Sequence, residues 1–141
     1  MKGSIAAAVA ATCIASNVAC ATTTLPSVDP HIADVRSGGY WKEDGQDGHY
    51  RVVLSHGGWE EVNTTVVLEW IATGRGEERE PTVAYSKVLF EILLGSVDIS
   101  TFTASPSGVR IELSGLLQDG HKYHCRVDLS PRGMYRKGRG C

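Results

Sequence analysis

The sequence predicts an all-β fold: an antiparallel β-sandwich or small barrel of about six to eight strands that follows an N-terminal signal segment. Three observations carry that expectation. Apolar and polar residues alternate with a period of two along several stretches, most clearly around Val52, Leu68, Ile111 and Val127. Turn chemistry separates those stretches at spacings of roughly 8 to 14 residues. No capped helical pattern competes with them.

The organising stretch is residues 38–74. Tyr50, Val52, Leu54 and His56 fall on one side of a strand, with Arg51, Val53 and Ser55 on the other. In the next arm Val62, Thr64, Val66, Leu68, Trp70 and Ala72 alternate with a mixed face that includes Glu61 and Glu69. Gly57-Gly58 between the arms predicts a tight two-residue hairpin, because glycine takes the positive φ angles such a turn needs. A slip of one residue would expose Leu68 and Trp70, so the register is well fixed.

Upstream, residues 32–35 suggest a turn of helix or an edge segment, and Gly38-Gly39 a boundary. Residues 42–48, KEDGQDG, are a polar hairpin turn. Their acids do not alternate as a calcium loop requires. Residues 74–80 form an acidic loop. Residues 81–95 fit two periods. Tyr85, Val88, Leu89, Ile92 and Leu93 have helical spacing, whereas Ala84, Ser86, Val88, Phe90, Ile92 and Leu94 make a period-two face. Strand is the reading, because every neighbour is a strand. Residues 97–103 are rich in β-formers, Ser105 to Gly108 is a turn, and Val109, Ile111 and Leu113 alternate with Arg110, Glu112 and Ser114. Asp119-Gly120 signals a hairpin, after which Tyr123, Cys125, Val127 and Leu129 form one face of a strand.

The first residues, MKGSIAAAVAATCIASNVACA, carry one positive charge at Lys2 and an apolar run too short to span a bilayer permanently, the layout of a secretory signal. Two processing schemes remain open. Ala19-Cys20-Ala21 suits signal peptidase cutting before Thr22 and defines a signal peptide of residues 1–21. Asn17-Val18-Ala19-Cys20, followed by ATTTLPSVDP, resembles the lipobox and tether of small exported bacterial lipoproteins, with Asn17 where that family usually has leucine. The resemblance covers about the first thirty residues and implies a signal of residues 1–19 with Cys20 as the lipidated first residue. Either scheme leaves a spacer at residues 22–37, a β-domain at 38–130 and a basic tail at 131–141.

Discounting Lys2, 13 basic residues face 16 acidic ones, a formal charge of -3, so bulk nucleic-acid binding is not suggested. The last twelve residues hold Arg132, Arg136, Lys137 and Arg139 and no acid, which reads as a solvated end. In an oxidising compartment the processed chain keeps two thiols, Cys125 and Cys141, and that even number predicts a disulfide between them.

No catalytic residue and no cofactor is implied. His121 and His124 are an odd number apart, which sends them to opposite strand faces, and His49 and His56 share the problem, so no metal site is expected. Ser55, Ser86 and the adjacent pairs Glu60-Glu61 and Glu77-Glu78 lack the surroundings that nucleophilic or glycosidase chemistry needs. Trp70 belongs to the core. Tyr40, Trp41 and Trp59, beside acidic residues, are the candidate ligand contacts. The expectation is a small exported envelope β-domain, without catalysis, acting as an interaction or maintenance module in the periplasm or on a lipid tether to the outer membrane. Its partner would be an envelope protein or a glycan, and the alternative is a soluble periplasmic ligand-binding module that takes carbohydrate.

Overall fold

The computed structural model of the chain describes residues 28–58, 62–74 and 80–141. These form seven antiparallel strands: β1 (Ile32–Glu43), β2 (Gln46–Gly57), β3 (Asn63–Ala72), β4 (Thr82–Ser105), β5 (Gly108–Leu117), β6 (Lys122–Ser130) and β7 (Met134–Lys137). They follow one another as a meander in the order β1-β2-β3-β4-β5-β6-β7, and the sheet is not closed into a barrel. The expected signal segment, including Cys20, lies outside the described residues.

β4 is the element that turns one sheet into two layers. Its first half pairs with β3 as far as Asn63↔Leu94, and its second half pairs with β5 from Gly95↔Leu117. The change of partner falls at Gly95, whose φ of +136° and whose position 2.4 Å (measured from where a Cβ would stand) from the Leu116 carbonyl oxygen admit no side chain. Fully buried Thr64 clamps the bend, donating its hydroxyl to the Gly95 carbonyl at 2.8 Å and accepting the Val97 amide at 3.2 Å. His56 Nε2 lies 3.2 Å from the Val97 carbonyl oxygen. Backbone groups that lose ladder partners at the bend are thus satisfied by side chains.

The two halves bury one core between them. Trp41, Tyr50, Val52, Leu54, Val66, Leu68 and Trp70 come from the first, and Val97, Ile99, Val109, Ile111, Leu113, Cys125, Val127 and Leu129 from the second. These are the inward faces expected of the alternation in β2, β3, β5 and β6. At about 1.5 to 3 kcal/mol for each large side chain taken out of water, this core is the main stabilising contribution. Trp70 links the layers, with its indole N–H donating to the Ser130 carbonyl at 2.7 Å and its ring edge-on to Tyr50 and Tyr85.

Several boundaries differ from expectation. Gly57 still pairs with Asn63, so the β2–β3 connection is residues 58–62 rather than a two-residue Gly57-Gly58 turn. A two-residue hairpin stands one connection earlier, at Asp44-Gly45, where φ values of 48° and 77° match the twist of the flanking strands. β1 starts at Ile32, inside the expected spacer of residues 22–37, and continues through Gly38-Gly39, where its register against β2 shifts between Gly38 and Trp41. Those glycines allow close passage over the second layer: a Cβ on Gly39 would lie 2.5 Å from Val109 Cγ2. Residues 82–95 are strand, as expected, but continuous with 97–103. Register shifts opposite Val66 break the period-two face, leaving Val88 and Leu94 exposed while Leu89 is buried.

The tail at residues 131–141 is not simply a solvated end. β7 pairs with β6 from Ser130↔Met134 to Val127↔Lys137. Beyond it the Gly138 amide donates to the Arg126 carbonyl at 2.7 Å, and the chain follows the β6 edge back to Cys125. There Cys125 and Cys141 form a disulfide with a Cα–Cα distance of 4.7 Å, within the usual range. Although Cys125 faces inward and is fully buried, the glycine-rich tail carries Cys141 to it along the strand edge.

Candidate functional site

The expected aromatic contacts do not share a face. Tyr40 and Trp41 are neighbours on β1 and point to opposite sides, Tyr40 at 58% exposure and Trp41 at 2%. Trp41 is a core residue whose indole N–H donates to the His49 carbonyl at 3.0 Å, a use that satisfies its one polar atom. Trp59 lies outside the described residues.

Two outward surfaces carry organised chemistry instead. On the first layer Val35, Val53, Val67 and Val88 stand directly opposite one another across β1, β2, β3 and β4. The row beside it is Ser37, Arg51, Glu69 and Ser86, in which Arg51 Nε contacts Glu69 at 2.6 Å. A four-strand apolar row with a polar border is suited to contact with another surface.

On the second layer the outward row is Thr103, Arg110, Asp128 and Arg136, crossing β4, β5, β6 and β7 in register. Arg110 Nε donates to Asp128 Oδ1 at 2.7 Å, and Arg136 Nη2 contacts Oδ2 at 3.4 Å. The hydrogen bond from Arg110 holds the Asp128 carboxyl below the usual carboxylate range, outweighing partial burial. The next row pairs Glu112 with Arg126 at 3.3 Å. A cavity of about 330 Å³ opens at the end of this face, where the Ser105–Gly108 turn meets β6 and β7. Its lining includes Thr103, Ser105, Ser107, Arg110, Asp128 and Arg136. Ser105 Oγ lies 3.1 Å from Ser107 Oγ and donates to the Gly108 carbonyl at 3.2 Å.

The alternation of β5 and β6 places Arg110 and Asp128 outward, but no local pattern signals that β7 brings Arg136 beside them. A second cleft, lined by Leu93, Leu94, Leu117, Gln118 and Asp119, lies by the β4 bend and is mainly apolar. Among the described residues no group of three or more His, Cys, Asp or Glu is placed to hold a metal ion. No helix in the described residues is long and apolar enough to cross a membrane. Comparison with known protein families, with curated proteins and with solved structures finds no match. What fold and surface define is a class: a disulfide-closed antiparallel β-meander folded about one long bent strand.

Proposed function

We propose that this chain is a small exported β-domain of a bacterial envelope that acts by contact rather than by catalysis. The observation that carries the reading is the Cys125–Cys141 disulfide. Such bridges persist in oxidising compartments and are rare in the cytosol, which agrees with the signal-like first 21 residues. The valine row of one layer and the arginine row of the other supply the contact surfaces, one for a protein neighbour and one for a charged ligand. In the rival reading, a periplasmic carbohydrate binder using Tyr40, Trp41 and Trp59, the role of Trp41 is lost to the core.

Cell fractionation with mass spectrometry of the mature chain tests this. A chain in the envelope fraction that begins at Cys20 and carries a diacylglycerol fits the tethered form, and Cys20→Ala then moves it to the soluble exported fraction. A soluble exported chain beginning at Thr22 keeps the domain but removes the tether. Cross-linking in intact envelopes should capture the same neighbour repeatedly, and Val53→Asp together with Val67→Asp should abolish that capture.

A further inference from the structure

We propose that the cavity at the Ser105–Gly108 turn binds an anionic saccharide, its acidic group held by Arg110 and Arg136 and its hydroxyls by Thr103, Ser105 and Ser107. The inference rests on the contact reading above and gives the ligand class of the second layer.

Charge is the first argument. Arg110 and Arg136 flank a single acid, Asp128, so the row carries one positive charge in excess. Arg110 engages Asp128 through Nε at 2.7 Å, and its side chain is about half exposed, which leaves the guanidinium open to an incoming group. Arg136 is mostly exposed and reaches Asp128 only at 3.4 Å. Two exposed guanidiniums beside one cavity are suited to a carboxylate or phosphate, which they can grip through paired N–H groups.

The hydroxyls are the second argument. Three alcohol side chains line the same cavity, and alcohols both donate to and accept from the hydroxyls of a sugar. The described lining contains no aromatic ring, so a flat base or indole would find no stacking partner there. A volume of about 330 Å³ suits one or two sugar rings, at the lower end of small-molecule sites. Asp128 competes with the incoming anion for both arginines, so the site is built for modest affinity.

The full disulfide-intact chain should be titrated with glucose 6-phosphate, glucuronate, inorganic phosphate and glucose, following backbone amide NMR shifts of Ser107, Gly108 and Arg136. Glucose 6-phosphate and glucuronate should each bind about ten-fold or more tightly than either phosphate or glucose. Arg136→Gln should weaken them about ten-fold. Asp128→Asn, which frees both guanidiniums, should tighten them. Arg126→Gln, on the same face but paired with Glu112 outside the cavity, should leave them unchanged. Inorganic phosphate binding as tightly as the sugars, equal weakening by Arg126→Gln, or no saturation by any of the four would overturn the proposal. Recovery of the chain from the exported fraction in that case would leave the contact reading standing without this ligand class, whereas recovery from the cytosol would remove that reading itself.

Discussion

Arg132 and Asp44, 88 residues apart in sequence, both adopt left-handed backbone conformations, φ 63° and 48°, and their side chains meet at 3.2 Å. Glu43 contacts the same guanidinium. The contact joins the β6–β7 loop to the β1–β2 turn, and the two acids hold the Arg132 charge in place, Asp44 foremost. Arg132→Ala should lower the melting temperature, because it keeps the strained backbone and loses the ion pairs. Arg132→Gly should melt above Arg132→Ala, because glycine relieves that strain. The deficit of Arg132→Ala should shrink as salt screens the exposed pairs. Equal melting temperatures for the two variants would show that the backbone conformation there contributes nothing.

The bend in β4 is the most sensitive backbone position. Gly95→Ala places a methyl against the Leu116 carbonyl oxygen and forces an unfavourable φ, which should cost about 3 kcal/mol or more by denaturant unfolding. Gly120→Ala has open space around it and should cost only its backbone strain, roughly 1 kcal/mol. A Gly95→Ala cost no greater than that of Gly120→Ala would mean the two layers do not share one kinked strand.

Tyr123 gives the pH dependence. Burial raises its phenol to about 12, and its hydroxyl has no hydrogen-bond partner among the described residues. A folded value above the unfolded one favours the protonated form, so its contribution is fully present below about pH 10 and is lost as pH rises towards 12. Tyr50, also raised by burial, adds to the same alkaline loss. Tyr123→Phe should leave the ring against Phe90, remove an unpartnered hydroxyl and increase stability at neutral pH by about 1 kcal/mol. Its unfolding curve should also hold to higher pH. Loss of stability in Tyr123→Phe would show that the hydroxyl has a partner.

Most of the fold was legible because alternation reports directly which side chains enter the core. Tyr50 to Leu54, Thr64 to Trp70, Val109 to Leu113 and Cys125 to Leu129 face as the period requires. The β4 pattern misled because bulges shift the pairing, and bulges depend on the partner strand rather than on local composition. β7 was missed because Met134 to Lys137 has only four residues, three of them polar or exposed, and is ordered by β6. The disulfide was legible from thiol parity alone. The arginine row was not, since a row across four strands is assembled by register and leaves no local spacing in the chain.

The disulfide closes a loop with a sequence separation of 16 residues. Cys141→Ser should reduce the stability of the folded domain by about 3 kcal/mol in the loop-entropy account. Reductant should lower the stability of the unmodified chain by a similar amount and leave Cys141→Ser unchanged. An equal response of both to reductant would place the labile bond elsewhere.

Whether the domain is exported and closed by Cys125 and Cys141 can be read from the thiol state of the native chain in its own compartment. Cells producing the full chain should be quenched with acid, fractionated and alkylated in denaturant without reductant, and the peptides containing Cys125 and Cys141 weighed. The chain should be in the exported fraction, with both cysteines blocked from alkylation and joined to each other. A chain in the cytosolic fraction with both thiols alkylated would contradict it.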